Sequence, residues 1–191
     1  MKDWKTIVAV LMIFTMVGTG CTFFEKANGV ILYGTDRAVD NTMSSYSKDA
    51  KLNKKIPFKE QHTEKGSIMI LSTDSAKELL EAGVLKQVKD KEKVVALVKA
   101  SVVREKEGVL YAKSEVQDLR LDSVTLHYDG NCIIGDGRAL VDMFAIVSNE
   151  DYAKMNGEGK TIGLLNVGKD LSAKLQDLSN QVEAVQLVTF E

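Results

Sequence analysis

The stretch that decides the fold is Ser67-Ile-Met-Ile-Leu-Ser-Thr-Asp-Ser-Ala-Lys-Glu-Leu79. Residues 68–71 form a compact apolar run of the length expected for a buried strand. Ser75 followed by Glu78 matches a capping box, in which the serine accepts a backbone N–H and the glutamate bonds back to the helix start. The stretch therefore predicts a strand, a cap and a short helix that ends at Gly83.

The residues after this helix predict antiparallel hairpins. Residues 94–103 are rich in β-branched side chains, and a charged turn at 105–108 leads into an apolar run at 109–112. This pattern favours a hairpin, although residues 94–99 also fit a helical turn.

A meander is predicted next. Residues 119–128 alternate between apolar and polar side chains, with one slip near Ser123. Asp129-Gly130 is a strong hairpin signal because type I′ turns need positive φ at both central residues. The return strand is predicted at 132–134, and after a turn at Gly135-Asp136-Gly137 a further strand is predicted at 138–147.

The C-terminal part predicts two helices and two strands. Ser148 is placed to cap a short helix through Met155, and strands are predicted at 161–167 and 187–190. Residues 169–185 predict a longer helix, because an apolar stripe recurs at helical spacing at Leu171, Leu175, Leu178, Val182 and Val185. Together these elements predict an α+β fold over residues 67–191, a mainly antiparallel sheet with a few helices packed on one face.

An internal sequence similarity, here called the internal echo, relates two of the predicted strand–helix units. With an offset of 76 residues, residues 70–74 align with 146–150, and both read as strand, serine, acidic cap and helix. Strand-to-helix turns select such residues in general. We therefore interpret the echo as chance rather than as a duplication.

The segment before the predicted domain is interpreted as a tether. Residues 34–66 are rich in Ser, Asn, Lys, Asp and Thr, contain Pro57 and show little periodicity. They predict a long loop with at most a marginal helix at 40–51. Residues 21–66 are therefore assigned as a flexible tether, with a possible short strand at 30–33.

The N-terminus has the layout of an export signal. Lys2 and Lys5 precede an apolar run at 7–17, which is too short for a permanent membrane-spanning helix. The run is followed by Gly18-Thr19-Gly20-Cys21, and this end resembles the lipobox of bacterial lipoproteins. Gly18 is a departure, because lipoproteins usually have leucine at that position. A plain secretory signal and an uncleaved anchor at residues 7–24 are the alternatives.

The resemblance implies how the protein is attached. It predicts a signal peptide at 1–20, cleavage between Gly20 and Cys21, and a thioether-linked diacylglycerol on Cys21. Two acyl chains suffice for stable anchoring, whereas one does not. The implied location is the outer face of the bacterial cytoplasmic membrane, with the membrane itself as a partner and no cofactor besides the covalent lipid.

Composition excludes one class of partner and one kind of bond. Removing residues 1–20 leaves 23 basic and 26 acidic residues, which gives no reason to expect nucleic-acid binding. The chain has two cysteines, and lipid on Cys21 would leave Cys132 without a disulfide partner. Cys132 precedes two isoleucines, so it is predicted to be a small buried core residue.

No motif predicts catalysis or a bound cofactor. The sequence lacks a Gly-x-Ser-x-Gly elbow, a phosphate-binding glycine loop and a zinc set of cysteines. His62 and His127 each have an acidic residue two positions later, which would suit a shared metal site. Because His62 falls in the polar segment and His127 on the outer side of a strand, both side chains are predicted to be exposed to solvent instead. The sequence therefore predicts no catalytic, cofactor-binding or metal-binding residues.

A second resemblance concerns the mature domain. Residues 67–79 and 144–155 resemble segments in the extracytoplasmic domains of FtsX-like ABC permeases, although the permease's membrane helices are absent. The resemblance implies an α+β domain that binds or senses beside a transporter, with an ABC permease as a possible partner.

These observations together predict a lipid-anchored extracytoplasmic protein that is not an enzyme and acts as a binding, sensing or interaction module. One alternative is an accessory subunit of an ABC transporter. Another is a surface enzyme of unrecognised type, for which Asp129 and Asp136 at the meander turns are the only candidate groups.

Overall fold

A computed structural model describes residues 27–89, 93–97, 103–117 and 119–190. The leader, Cys21, the predicted cleavage site and the rest of the N-terminus to residue 26 lie outside the described residues. The strands are β1 (Gly29–Gly34), β2 (Leu52–Thr63), β3 (Gly66–Ser72), β4 (Leu85–Val88), β5 (Val94–Ala96), β6 (Glu107–Ala112), β7 (Leu119–Leu121), β8 (Val124–Gly130), β9 (Cys132–Ile134), β10 (Met143–Val147), β11 (Glu158–Asn166) and β12 (Ala184–Val188). The helices are α1 (Asp36–Ser44), α2 (Thr73–Glu81), α3 (Asn149–Lys154) and α4 (Leu175–Ser179), with one-turn 3₁₀ helices at Ser47–Asp49 and Ser172–Lys174.

Within the described residues, nine strands form the main sheet, in the order β12-β1-β11-β2-β3-β10-β6-β8-β7. Among the strands that the structure describes, only the β3–β10 and β6–β8 pairs are parallel, and the other neighbours are antiparallel. A second sheet contains β5, β4 and β9. The predicted α+β class with a mainly antiparallel sheet is confirmed.

Apolar side chains lie on both faces of the main sheet. In β1, Ile31 and Tyr33 belong to the largest core, whereas Val30 and Leu32 belong to a separate core on the opposite face. The largest core lies under α2 and the three-stranded sheet. The opposite face is covered by α1 and α4 at one end and by the α3 region at the other. The helices therefore occupy both faces, not one face as expected.

The strand, cap and helix predicted at residues 67–79 are present, but the cap is three residues earlier. Ser72, not Ser75, accepts the hydrogen bond from the Ser75 backbone N–H, at 3.0 Å. Ser75 is buried in the first helical turn and donates its hydroxyl to the Pro57 carbonyl, at 2.9 Å. Gly83, with φ +70°, ends the helix as predicted.

The tether prediction is wrong for residues 29–63. The possible strand at 30–33 is the fully buried β1, and β2 lies centrally between β11 and β3. Ile56 and Phe58 are buried at alternate positions of β2, but the next inward position is Glu60. A charged residue at that position hides the period-two pattern. Pro57 is tolerated because β3 pairs with β2 only from Lys59 onward.

The predicted helix at 169–185 is also wrong. The segment contains a 3₁₀ turn, the five-residue helix α4 and the first residues of β12. Val185 pairs with Leu32 of β1, while Leu171 and Leu178 reach the same core from the preceding turns. The apparent helical stripe therefore combines side chains from different elements that share one core.

The predicted hairpins form elsewhere. β5 pairs with β4, and β6 pairs with β10 and β8, so the hairpin joining 94–103 to 109–112 is absent; residues 98–102 lie outside the described residues. β8 continues through Gly130, and β9 joins the second sheet, so there is no turn at Asp129. The hairpin turn instead lies between Leu121 and Val124, with Asp122 at φ +51°. The strand predicted at 138–147 begins only at Met143.

The internal echo corresponds to two neighbouring strand–helix units. β3 and β10 are parallel, and Ser72 and Ser148 cap the helices that follow them. Asn149 joins the two caps, since its Oδ1 accepts hydrogen bonds from the Thr73 hydroxyl and the Asp74 N–H. The capping requirement accounts for the shared serines.

Candidate functional site

A cleft lies between the main sheet and the segment that follows β9. Its floor comes from Tyr33 of β1, Met69 of β3 and Phe144 of β10, and its volume is about 20 Å³, which is room for about one water molecule. The remaining lining residues are Ile133, Ile134, Gly137, Arg138, Ala139, Leu140 and Val141. The cleft is therefore mostly apolar, with one charged side chain.

Gln186 of β12 fixes the cleft wall. Its side-chain amide donates to the Tyr33 hydroxyl at 3.0 Å and to the Ile134 carbonyl at 3.1 Å, with a longer contact of 3.3 Å to the Gly137 carbonyl. Its Oε1 accepts from the Asp136 N–H at 3.3 Å. Gly135 adopts φ +77°, and a Cβ there would lie 2.4 Å from Gln186 Oε1. The wall is therefore held to the sheet by a hydrogen-bonded side chain that requires glycine beside it.

Arg138 is exposed at the mouth of the cleft. Its guanidinium donates to the Asp142 carbonyl at 3.0 Å and to Asn131 Oδ1 at 2.7 Å. No carboxylate oxygen of the described residues lies within 4 Å of it. Desolvation lowers the pKa of Arg138, but an arginine side chain stays protonated in proteins. The cleft mouth therefore carries a positive charge whose hydrogen-bond partners are neutral.

A buried ionic cluster lies on the same sheet face. Lys160 Nζ is 2.7 Å from Glu60 Oε2 and 2.6 Å from Glu183 Oε2, and the Lys160 and Glu60 side chains are only 8% and 6% exposed. Glu60 is the register partner of Met69, which lines the cleft. Burial alone would lower the pKa of Lys160, but hydrogen bonds to Glu183 and Glu60 outweigh it and raise the pKa. The lysine is therefore held in its charged form.

The other candidates from the sequence are dispersed. His62 is exposed on β2, with its Nε2 3.8 Å from Glu60 Oε1, and His127 is exposed on β8, with three strands between them in the sheet order. Asp129 accepts a hydrogen bond from the Tyr111 hydroxyl at 2.7 Å, and Asp136 pairs with Lys86 at 2.5 Å. Within the described ranges, no three His, Cys, Asp or Glu side chains are placed to hold a metal ion.

Cys132 is fully buried in β9, as predicted for a core residue. Burial, with a smaller contribution from Asp129, raises the pKa of its thiol to about 11. The thiol is therefore protonated at neutral pH, which does not suit a nucleophile.

A second groove is larger and more open, with a volume of about 390 Å³. It lies between α1 and Gln181 and is lined by Thr35, Arg37, Ala38, Asn41, Thr42 and Gln181. Its lining is mostly polar and open to solvent.

No helix within the described residues has the length and apolar character needed to cross a membrane.

Sequence reasoning missed the residues that shape the cleft. Arg138 lies in a predicted strand and Gln186 next to a predicted helix, and neither position carries a motif that indicates a site residue. Glu60 and Lys160 are charged residues at inward positions of strands that otherwise bury Phe58 and Ile162. A charged residue at an inward strand position is the sequence signal that could have indicated this buried ionic cluster.

The fold defines an α+β protein with a large, mainly antiparallel sheet and a small cleft on one face of it. The chain belongs to a family described as uncharacterised lipoproteins, whose model matches residues 27–191. The lipoprotein prediction is thus confirmed at the level of the family. Because the match begins at residue 27, the lipid site at Cys21 and the cleavage after Gly20 stay predictions.

A crystal structure of a chain from Bacillus anthracis, provisionally described as a lipoprotein, has a similar fold. It is 29% identical, with a TM-score of 0.82, and the match covers 86% of this chain and 100% of that one. No curated protein matches the chain. The resemblance to FtsX-like permeases gains no support from these matches and stays a prediction.

Proposed function

We propose that this protein is a lipid-anchored extracytoplasmic binding module whose candidate contact surface is the shallow cleft beside Arg138. The proposal includes attachment through diacylglycerol on Cys21 at the outer face of the cytoplasmic membrane. The observation that carries the binding role is the preformed apolar cleft, whose wall Gln186 holds to β1 through the Tyr33 hydroxyl. Preorganised walls favour binding because less conformational freedom is lost when the ligand enters.

The position of β1 limits how far the domain can stand from the membrane. Cys21 is eight residues before Gly29, the first residue of β1. A fully extended chain spans at most about 3.6 Å per residue, so Gly29 lies within about 29 Å of the lipidated residue. The anchor therefore holds the domain close to the membrane surface, rather than at the end of the long flexible tether predicted from the sequence.

The cleft is tested by blocking it. We expect small molecules that raise the thermal unfolding midpoint of the full chain to lose that effect in Ala139→Phe, because the larger side chain fills the space they occupy. Ala38→Phe, in the second groove, is the matched control and should respond like the wild type. A diverse set of neutral, anionic and cationic small molecules serves as the probe. Ligands that stabilise wild type and Ala139→Phe equally would contradict the proposal.

A further inference from the structure

The edge strand β12 is open to pairing with a further strand. Within the described residues the two sheets have four edges, and three of the edge strands, β5, β7 and β9, contain only three residues each. β12 has the five residues Ala-Val-Gln-Leu-Val, with no charge, no proline and no break in its register with β1. Sheet edges are usually short, charged or interrupted, because a free edge invites pairing. We propose that β12 pairs antiparallel with β12 of a second copy of this protein.

The ladder on β1 shows which side of β12 is already used. The Val167 N–H donates to the Asn28 carbonyl at 3.1 Å, in the register in which β11 pairs with β1. Backbone hydrogen bonds alternate between the two sides of a strand, so Gly29 and every second residue after it bond to β12. The residues of β12 that use their N–H and C=O groups on β1 are therefore Ala184, Gln186 and Val188.

The other two residues of β12 face the open edge. The N–H and C=O groups of Val185 and Leu187 point away from β1 by the same alternation. These four groups have no hydrogen-bond partner among the residues that the structure describes. β12 therefore presents two donors and two acceptors in a row.

Pairing of two copies about Gln186 satisfies all of these groups. Val185 of each copy then lies opposite Leu187 of the other, and each such pair exchanges two hydrogen bonds. In the same register Glu183 lies opposite Thr189, so no like charges face each other. The same patch is used on both copies, and a twofold axis closes the contact at two copies.

The side chains along the edge favour the same contact. Val185 and Leu187 are half-buried against the core that contains Val30 and Leu32. Opposite apolar side chains stabilise an antiparallel pair, and pairing removes their exposed parts from water. Gln186 points to the other face, where it is bound to the Tyr33 hydroxyl, so the contact leaves it undisturbed.

The predicted attachment at Cys21 is compatible with this pairing. The two β1 strands would be three strand spacings apart, about 14 Å, and the two Val188 residues would be offset by four residues, about 13 Å. The two Gly29 residues would therefore lie about 20 Å apart, within the reach of about 29 Å that each N-terminal segment has. Attachment to one membrane would also raise the effective concentration of the two copies.

Disulfide trapping tests the register. Full chains with Val185→Cys and Leu187→Cys, carrying different tags, are produced in the same cells, and the lysed cells are oxidised with copper phenanthroline. We expect roughly tenfold more linked dimer from the two variants together than from either alone, because the proposed register places only residues 185 and 187 within disulfide distance. The wild-type chain, which retains Cys21 and Cys132, is the blank.

A proline substitution tests the backbone hydrogen bonds. Val185→Pro removes an N–H that faces the edge, so pairing with β1 is retained. Val94→Pro is the matched control, because the Lys89 N–H donates to the Lys93 carbonyl and the same alternation places the Val94 N–H at the outer edge of β5. At high concentration in detergent, light scattering should give two copies for the wild type and Val94→Pro, and one copy for Val185→Pro. Near-ultraviolet circular dichroism should stay unchanged in both variants.

Each other outcome contradicts the pairing. Linked dimer that does not exceed the blank, or that forms equally from either cysteine variant alone, would overturn the register. One copy for the wild type would show that the edge is free or covered by the chain itself, and two copies for Val185→Pro would place the contact elsewhere. If Val185→Pro loses its near-ultraviolet signal, the trapping result decides. The cleft test with Ala139→Phe does not bear on this inference, because β12 pairs through its outer edge.

Discussion

Replacing Lys160 with methionine is expected to lower the free energy of unfolding by about 3 kcal/mol, because it leaves buried Glu60 without its cation. Lys160 is also 2.6 Å from Glu183 and 3.7 Å from Glu158, so one substitution removes the centre of a network. Urea denaturation monitored by circular dichroism measures the change. The double variant Glu60→Met with Lys160→Met should recover part of the loss, since no unpaired charge remains buried.

An exposed cluster of similar composition is the matched control. Lys55 pairs with Asp36 and Asp40 at 3.2 and 2.8 Å, but all three side chains are open to solvent. Lys55→Met should therefore change stability little. An equal effect of Lys55→Met and Lys160→Met would contradict the assignment of Lys160 as a buried centre.

The pH dependence gives a second test of Lys160. A group whose pKa is raised on folding contributes stability below its unfolded pKa, and that contribution disappears as the pH rises through the folded pKa. For Lys160 the loss should therefore begin only above pH 10.5. It should be absent in Lys160→Met.

A chain that begins at Ser67 is expected not to fold. It lacks β1, α1 and β2, and β2 is a central strand that pairs with every residue of β11. Its absence exposes the buried faces of both neighbours and leaves unpaired strand edges. We expect no cooperative unfolding transition in urea and no defined tertiary signal in near-ultraviolet circular dichroism.

A chain that begins at Ala27 is the control for this truncation, because it retains every described strand. It should unfold cooperatively, with the midpoint of the mature protein. A chain beginning at Ser67 that unfolds at the same midpoint would show that residues 27–66 are a dispensable tether, which would contradict the position of β2.

Local signals in the sequence predicted much of the centre of the sheet. β3, α2, β10 and α3 follow from apolar runs and serine caps, because capping hydrogen bonds and buried strand faces are decided by neighbouring residues. The α+β class follows from the same signals. Ser72 could not be preferred over Ser75 as the cap, since both are serines beside the same helix start.

Long-range packing accounts for the failures. Glu60 occupies an inward position on β2 because Lys160, a hundred residues away, neutralises it. Single-strand periodicity contains no information about that partner. The stripe at residues 169–185 misled for a similar reason, because Leu178 and Val185 reach one core from a helix and a strand. A common core does not imply a common helix.

The cleft could not be predicted because its parts are brought together only by the fold. Tyr33, Met69 and Phe144 come from three strands that are not sequential in the chain, and Gln186 comes from β12. Their sequence positions show only apolar and polar residues in strands. The function of Gln186 becomes visible from its hydrogen bonds to both the sheet and the cleft wall.

Family membership and the cleft support different parts of the proposed function. Membership in an uncharacterised lipoprotein family supports membrane attachment, and the cleft supplies the proposed binding role. Attachment close to the surface would confine any captured ligand to the membrane's immediate surroundings. The membrane attachment depends on Cys21 being the lipidated residue, whereas the binding role depends on the cleft alone.

Mass spectrometry of the N-terminal peptide of the membrane-extracted protein tests this attachment most directly. We predict a mature chain that begins at Cys21 and carries diacylglycerol on its sulfur, and a Cys21→Ala variant that yields no lipidated peptide. An N-terminus at any other residue, or a Cys21 without lipid in protein that still fractionates with membranes, would contradict the account.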